Sequence, residues 1–429
     1  MIPCNSSKLL SDAGGLNIKK LMEVSKDMFD WVEKNIKADP AALRLKYAGK
    51  KGDIDYSAAI LQIECRRKFG KKLQETLAAF PEFYFPSTLA GEQASSDVLA
   101  EYHSSLVPEG MSVVDLTSGL GIDVIHMARR ASSVVAVERN RELVDALTYN
   151  AKGLAEASVV EPVCSDCVDF IDKCIESGRH FDMAFIDPAR RAADGGRLFA
   201  LTDCSPDVVS LMPKLSKICN MLVIKASPML DISHTIATLS PRPFSVAAAG
   251  TAAECKELVI SVLFDGPECE SPMIEAVSLG ATSSTFSFTM RQEADADALP
   301  VLPAIAVGDV VCEPFPALMK AGAFKVLGRA YGLRGFDANT KLLFGSQFTT
   351  GFPGTQWRVV EGLPYASSVI KRFKSKYPAI SIVTRNFGMS ADALRGRLAV
   401  KESPGNLRLF AVTDASGNKL LIVTERCDA

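Results

Sequence analysis

The stretch Val113-Val114-Asp115-Leu116-Thr117-Ser118-Gly119-Leu120-Gly121-Ile122-Asp123 decides how the rest of the chain is organised. An apolar run ends in an acid, a turn of small residues with two glycines follows, and a helical pattern begins near Asp123. A buried parallel strand that leads into a helix through a tight turn has this pattern. Glycines let the backbone pass close to a ligand, and the amides at a helix start favour ligand oxygens. The stretch therefore predicts a ligand-binding turn, with an ordinary strand-to-helix turn as the alternative.

The next apolar run, Val134-Val135-Ala136-Val137, ends in Glu138, about 20 residues after the glycine turn. An acid at this place in a doubly wound fold accepts hydrogen bonds from ribose hydroxyls of a bound nucleotide. Both a nicotinamide dinucleotide and S-adenosylmethionine fit this spacing. Val124 stands where the dinucleotide fingerprint has its third glycine, and Asp115 would repel a pyrophosphate but suits an ammonium group. These residues favour S-adenosylmethionine.

Four motifs at the right spacing carry a family resemblance. Residues 113–123 and Glu138 resemble motifs I and II of class I S-adenosylmethionine-dependent methyltransferases. The segment Val163-Cys164-Ser165-Asp166-Cys167 is similar to motif III, and Phe185-Ile186-Asp187-Pro188-Ala189-Arg190 is similar to motif IV. The resemblance covers roughly residues 84–265. It implies an α/β fold with a seven-stranded Rossmann-like sheet, an N-terminal helical region and small C-terminal α+β domains. The cofactor-binding residues that it implies are Asp115, Thr117, Gly119, Gly121, Asp123, Glu138, Arg139, Asp166 and Cys167.

Motif IV points to the reaction. In families that methylate amino groups, this motif presents an acidic or amide oxygen and a carbonyl to an exocyclic amine, and an aromatic residue stacks on the base. Here Ala189 and Arg190 replace the second proline and the aromatic residue. A guanidinium group can stack on a base or hold a phosphate. The resemblance predicts methylation of a base amino group in RNA, and the catalytic residues that it implies are Asp187, Pro188, Arg190 and Lys225.

Other functions remain open at this stage. Asp187, Lys225 and Glu257 resemble three members of the Lys-Asp-Lys-Glu set of ribose 2′-O-methyltransferases, although the first lysine has no counterpart before motif I. A methyltransferase fold kept only for RNA binding or assembly would explain the altered motif IV. A methyltransferase that acts on a small molecule or a protein is a further alternative.

The net charge of −2 hides an uneven distribution along the chain. Residues 1–100 carry a formal charge of +2, residues 101–319 carry −14, and residues 320–429 carry +10. A strongly basic C-terminal quarter indicates an appendage that binds a polyanion. Surfaces of opposite sign that hold the domains together are the alternative.

The C-terminal segment also resembles a known module. Arg385-Asn386-Phe387-Gly388-Met389-Ser390 and Leu394-Arg395-Gly396-Arg397-Leu398 resemble the THUMP-like domain of some bacterial methyltransferases. THUMP domains bind RNA, so the resemblance implies rRNA or tRNA as the partner.

A chain of 429 residues is too long for one hydrophobic core. We expect an N-terminal helical region (1–95), a methyltransferase domain (96–265), a small ferredoxin-like α+β domain (266–345) and a THUMP-like α+β domain (346–429). Strands are predicted at 112–116, 134–138, 159–163, 183–187, 221–225, 244–249 and 258–264. Helices are predicted at 123–131, 141–153, 168–177, 205–218 and 230–239. The last two of these strands lack a helix between them, which predicts an antiparallel hairpin at the sheet edge.

Three features lie outside the main motifs. In the loop Phe83–Ser96, Thr88 and Gln93 are candidate cofactor contacts. The cluster from Arg66 to Lys72 is either a phosphate contact or a solvated face. Residues 292–300 are interpreted as an acidic loop.

The cysteine and histidine content argues against a metal or disulfide protein. The 11 cysteines are scattered and odd in number, so we expect reduced thiols in a cytoplasmic protein. The four histidines stand apart in the sequence, and we expect core or surface roles for them. No apolar run is long enough to span a membrane, and the N-terminus lacks the pattern of a secretory signal.

Overall fold

A computed structural model describes residues 24–154, 159–190, 200–266, 269–281, 283–302, 304–337, 340–403 and 405–427. These residues divide into two compact units. The first contains the residues up to Ala189 together with Cys204–Val223, and the second contains Arg190–Asp203 and the residues from Ile224 onward. The predicted N-terminal helical region (1–95) is described only from residue 24, and residues 191–199 lie outside the described part.

Polar caps set the starts of five of the six described helices that precede the first strand. Asp39 accepts hydrogen bonds from Ala41 N and Ala42 N, and Asp55 caps the following helix in the same way. The described helices in this region are α1 (Lys26–Asn35), α2 (Pro40–Tyr47), α3 (Tyr56–Phe69), α4 (Gln74–Ala79), α5 (Thr88–Gln93) and α6 (Asp97–Ser105). The fully buried rings of Phe83 and Phe85 share a hydrophobic cluster with Leu120. This helical region therefore packs directly against the glycine turn.

Continuous apolar runs form the strands that follow, because a parallel sheet is covered on both faces. These strands are β1 (Ser112–Asp115), β2 (Ser133–Glu138), β3 (Val160–Cys164), β4 (Phe181–Ile186), the short pair β5 (Ala189–Arg190) and β6 (Cys204–Ser205), and β7 (Cys219–Ala226). The helices between them are α7 (Ile122–Met127), α8 (Arg141–Leu154), α9 (Cys167–Ser177) and α10 (Val208–Leu215). Strand β1 pairs in parallel with β2 and β4, and the order in the first unit is β7–β4–β1–β2–β3. The carboxyl ends of β1, β2 and β4 therefore meet at one edge, where this fold class binds its ligands.

The strands of the second unit that belong to the same sheet make it larger than predicted. They are β8 (Ser245–Thr251), β9 (Cys255–Leu263), β10 (Met273–Leu279) and β11 (Ser284–Thr289), and helix α11 (Ile232–Thr238) precedes them. Strands β8 and β9 are antiparallel, as predicted, but β10 pairs in parallel with β8 and buries Ile274 and Val277. The hairpin is therefore not the sheet edge. The prediction of seven strands was wrong, since nine strands of this sheet lie within the described part of the chain.

A separate seven-stranded sheet forms the rest of the second unit, in the order β13–β14–β12–β15–β18–β17–β16. Its strands are β12 (Val310–Pro314), β13 (Arg334–Gly335), β14 (Leu343–Gly345), β15 (Gly354–Pro364), β16 (Ser381–Arg385), β17 (Leu407–Thr413) and β18 (Lys419–Arg426). The helices are α12 (Met290–Asp295), α13 (Pro316–Ala321), α14 (Phe324–Ala330), α15 (Ser367–Lys376) and α16 (Ala391–Leu398). Helix α12 replaces the start of the predicted acidic loop, because Thr289 and Gln292 form a reciprocal capping box at its start.

The described helices include none that combines the length and the apolar character needed to cross a membrane.

Candidate functional site

The turn after β1 has the backbone shape that its two glycines predict. Gly119 has φ +53° and Gly121 has φ +85°, in the left-handed region that other residues rarely adopt. A Cβ atom on Gly121 would lie 2.7 Å from Leu147 Cγ and Cδ1 on α8. Gly121 is therefore required both by its backbone conformation and by the close approach of α8.

Short hydrogen bonds tie this turn to three strand ends. Thr117 N donates to Asp115 Oδ1 over 2.9 Å, and Asp187 N donates to Thr117 Oγ1 over 2.7 Å. Ser118 N donates to Val137 O over 3.0 Å. The ends of β1, β2 and β4 consequently form one connected edge, which brings Asp115, Thr117 and Asp187 together.

The Glu138 carboxylate is held in place by two backbone amides. Gly119 N donates to Oε2 over 3.1 Å, and Asn140 N donates to Oε1 over 2.7 Å. Each carboxylate oxygen keeps a further lone pair for a ligand. The arrangement presents two fixed acceptors beside the glycine turn, which matches the two hydroxyl groups of a ribose.

The Asp123 carboxylate binds the segment that precedes β1. Ser95 Oγ donates to Asp123 Oδ2 and His103 Nδ1 donates to Asp123 Oδ1, each over 2.7 Å. The His103 ring is fully buried, and its centroid lies 5.3 Å from that of Phe185. Sequence reasoning missed Ser95 and His103. Ser95 lies in the polar loop Phe83–Ser96, where polar contacts are expected. The sequence around His103 gives no signal that this histidine would bind Asp123.

A second buried network fixes helix α6. Asp97 is 4% exposed and accepts hydrogen bonds from Glu75 N (2.7 Å) and Thr76 N (3.1 Å), and His126 Nε2 lies 3.6 Å from its Oδ1. Burial alone would raise the pKa of Asp97, but the nearby His126 ring and the hydrogen bonds from the Thr76 hydroxyl and the two amides hold that pKa below its ordinary value. The charged carboxylate therefore stabilises the folded chain.

We expect Asp97→Asn to lower the free energy of unfolding at pH 7 by about 1.5–3 kcal/mol, since bonds to a charged acceptor are lost. Because the pKa of Asp97 is lowered on folding, its contribution is complete above pH about 4 and is lost as the pH falls further. Urea titrations at pH 7 and at pH 3 measure both effects. Asp53→Asn, at an exposed site, is the matched control. Equal stability losses in the two variants would contradict this role.

The motif III residues divide between surface and core. Asp166 is exposed and caps α9 by accepting a hydrogen bond from Val168 N over 2.8 Å, and Arg139 is exposed. Cys167 is buried, and burial raises the pKa of its thiol to about 11. Neither Cys164 nor Cys167 forms a disulfide. The described residues contain no group of three or more histidine, cysteine or acidic side chains arranged for a metal ion.

The predicted catalytic residues fall in both units. Asp187 is half-buried and Pro188 is buried at the end of β4 in the first unit. Arg190 lies in β5, and Lys225, partly exposed, lies near the end of β7, both within the second unit. Glu257, on β9, is 3% exposed.

The basic cluster that begins at Arg66 serves the fold. Arg66 donates to Pro81 O (2.7 Å) and Phe83 O (2.8 Å), and burial lowers the pKa of its guanidinium to about 10. Lys72 Nζ donates to Gly91 O over 3.0 Å. These cations fix the segment that contains α5, where Thr88 is partly exposed and Gln93 is exposed. The phosphate-contact alternative is therefore not supported for Arg66 or Lys72.

A comparison over nearly the whole chain decides the family. A crystal structure from Porphyromonas gingivalis W83, described as that of a methyltransferase, is 30% identical to this chain, with a TM-score of 0.82. The match covers 94% of this chain and 98% of that one. The chain belongs to the class I S-adenosylmethionine-dependent methyltransferase family. Family models also match this methyltransferase in three places: "Conserved hypothetical protein 95" at residues 95–194, "ferredoxin-like domain" at 311–353 and "THUMP domain-like" at 354–426. The predicted C-terminal THUMP-like region is thereby confirmed.

Other solved methyltransferases are similar over a smaller part. The T. thermophilus 16S rRNA N2 G1207 methyltransferase, solved with AdoMet and guanosine, is 15% identical, with a TM-score of 0.27, and the match covers 50% of this chain and 44% of that one. The M. jannaschii tRNA m1G37 methyltransferase is 13% identical, with a TM-score of 0.28 and coverage of 41% and 57%. TM-scores this low do not indicate a shared substrate or reaction. No curated protein matches the sequence.

Proposed function

We propose that this methyltransferase transfers a methyl group from S-adenosylmethionine to a base amino group of RNA, with rRNA and tRNA as candidate substrates. The observation that carries the proposal is the hydrogen bond from Asp187 N to Thr117 Oγ1. It fixes the motif IV acid at the same strand edge as the glycine turn and Glu138.

The donor and acceptor set at this edge fits S-adenosylmethionine. The glycine turn permits close approach of the backbone, Glu138 offers two fixed acceptors for ribose hydroxyls, and Asp166 is exposed at the predicted adenine side. Carboxylates at Asp115 and Glu138 would repel the pyrophosphate of a nicotinamide dinucleotide. We assign the cofactor to Asp115, Thr117, Gly119, Gly121, Asp123, Glu138, Arg139, Asp166 and Cys167. Within this set, Asp123 positions the turn through Ser95 and His103.

The chain's own contribution to the reaction is alignment and proton removal. When bound, S-adenosylmethionine supplies an electrophilic methyl group. Oxygens of Asp187 and Pro188 accept hydrogen bonds from the target N–H groups and aim the nitrogen lone pair at that methyl group. The nitrogen loses a proton as its new bond to carbon forms, and we propose that the Asp187 carboxylate accepts it. Arg190 and Lys225, the other two catalytic residues that the resemblance implies, stay predictions.

Ribose 2′-O-methylation is the alternative that would use Asp187, Lys225 and Glu257. Glu257, the acid of that set on β9, is 3% exposed, and Asp115 in the proposed cofactor site is 2% exposed, so burial alone does not separate the two reactions.

Calorimetric titration with S-adenosylmethionine, with NAD titrated in parallel, tests the cofactor assignment. We expect heat of binding for S-adenosylmethionine alone. Methyl transfer to total RNA from a strain that lacks this gene would then identify the substrate. Binding of neither compound would favour a fold kept for RNA contact without catalysis.

The proposed RNA contact is one face of helix α15. Lys371, Arg372 and Lys374 are exposed there, and no described carboxylate forms an ion pair with them. Lys376, by contrast, lies 2.7 Å from Glu361. Three cations within four consecutive residues on the exposed side of α15 form the kind of surface that binds a phosphate backbone.

Charge reversal of this face, in a Lys371→Glu, Arg372→Glu, Lys374→Glu variant, should weaken RNA binding at least about tenfold at low salt and lower the salt slope by about 2–3. Fluorescence anisotropy across a salt series measures both quantities. The matched control, Lys26→Glu, Lys34→Glu, Lys37→Glu, makes the same change of charge at exposed sites on and beside α1. Equal losses in both variants would show a general charge effect and not a specific contact.

A further inference from the structure

The second unit contains a cavity of about 530 Å³ that the proposed reaction does not use. It lies between the β8–β9 turn, the end of β12, the start of α13 and the strands β15, β16 and β17. Its size falls within the range of small-molecule pockets, roughly 300–1,000 Å³. The cavity is therefore large enough to enclose a nucleotide.

Positive charge dominates the wall of this cavity. Lys341, Arg385 and Arg408 line it, and Glu313 is the one acid among the described lining residues. Arg408 Nη1 lies 2.6 Å from Glu313 Oε2, and Arg385 Nη2 lies 3.4 Å from Glu313 Oε1. Two of the three lining cations thus pair with the one carboxylate, and the net excess of positive charge in the lining favours an anionic ligand.

Both guanidinium groups are held in place but retain donors. Arg408 stacks over the ring of Trp357 with its Cζ 4.2 Å from the centroid. A guanidinium group carries five N–H donors, whereas each of these two arginines donates one hydrogen bond to Glu313. Their buried Nε atoms make no hydrogen bond within the described part of the chain. Planar groups fixed in this way match the oxygens of a phosphate.

An apolar wall lies beside the charged one. Phe315 and Met319 line the same cavity and are each partly exposed. An aromatic ring and a thioether provide a surface on which a base packs through its flat face. A nucleoside phosphate combines both features, since it joins an anion to an apolar plane.

We propose that this cavity binds a nucleotide, with its phosphate on Lys341, Arg385 and Arg408 and its base against Phe315 and Met319. A phosphorylated RNA end and a free nucleotide share this chemistry. Binding of an RNA end in this cavity rests on the proposed function, whereas binding of a free nucleotide does not. Glu313 then acts as an internal competitor that occupies the arginines when the cavity is empty.

Calorimetry on the full chain with AMP, adenosine and inorganic phosphate tests the proposal. We expect AMP to bind at least about tenfold more tightly than either of the other two, because only AMP engages both walls. Competition by a short RNA with a 5′-phosphate, but not by its unphosphorylated form, would identify RNA as the source. If AMP binds and the RNA with a 5′-phosphate does not compete with it, the ligand is a free nucleotide. Equal affinities for AMP and adenosine would overturn the proposal.

Two substitutions test the residues in opposite directions. Lys341→Gln, at an exposed site, should weaken AMP binding about five- to tenfold. Glu313→Gln should tighten it by a similar factor, because the competing charge is removed. Lys401→Gln, an exposed lysine outside the cavity lining, is the matched control. A folded Glu313→Gln variant with unchanged or weaker AMP binding would show that the cluster has only a structural role. None of these measurements depends on methyl transfer, so they can fail independently of the proposed reaction.

Discussion

Methyl transfer by the Asp187→Ala variant is expected to fall by about 10²- to 10⁴-fold, the range for loss of a positioned acid–base group. The carboxylate proposed to accept a hydrogen bond from the target N–H is removed, whereas the backbone hydrogen bond from residue 187 to Thr117 Oγ1 remains. Affinity for S-adenosylmethionine should therefore stay close to that of the unaltered chain. Transfer of labelled methyl groups to RNA, together with calorimetry, measures the two quantities separately.

Two further aspartate variants sharpen this experiment. Asp187→Asn keeps an amide oxygen as acceptor, so base amino methylation should retain part of its activity, whereas ribose methylation needs the carboxylate. Asp169→Ala, an exposed aspartate on α9, is the matched control and should change neither quantity. Full activity in Asp187→Ala would remove this residue from the catalytic assignment.

Glu138→Ala should weaken S-adenosylmethionine binding by about 10- to 100-fold, as expected for loss of hydrogen bonds to a charged acceptor. The substitution removes both proposed ribose acceptors and also the group that orders Gly119 N and Asn140 N. At saturating cofactor, the rate of methyl transfer should recover, because the catalytic residues are unaltered. Calorimetry and saturation kinetics test this separation.

The control for this second variant is Glu176→Ala, an exposed acid near the end of α9. It should leave cofactor affinity unchanged. An unchanged dissociation constant in Glu138→Ala would contradict the ribose assignment and leave the two ordered amides as a purely structural feature.

The elements around the site were predictable because local signals set their limits. Strand β1 ends at Asp115 and β2 ends at Glu138, as the apolar runs and their terminal acids indicated. The positive φ angles of Gly119 and Gly121 follow from their place between an apolar run and a helix. In each case the information lies within about ten residues.

The failures concern contacts between distant residues. Met273–Leu279 reads as an ordinary apolar segment, and nothing in it specifies a parallel partner at β8. Arg66 belongs to a basic run that looks like a nucleic-acid contact, yet its partners are carbonyl groups of the Phe83 segment. Ser95 and His103 likewise gain their role only when the fold brings them to Asp123. Charge and periodicity identify a surface or an element, but not its partner.

The carboxylate of Asp123 links the glycine turn to the segment before β1 through two hydrogen bonds. We expect these bonds to couple cofactor binding to local unfolding of that segment. Opening of the region from Ser95 to His103 must break both hydrogen bonds to Asp123. A ligand that binds only the closed turn raises the free energy of that opening by mass action. By reciprocity, a change that favours this opening is expected to weaken cofactor binding. The segment from Ser95 to His103 is thus expected to belong to the thermodynamic unit that binds the cofactor, although it supplies none of the four methyltransferase motifs.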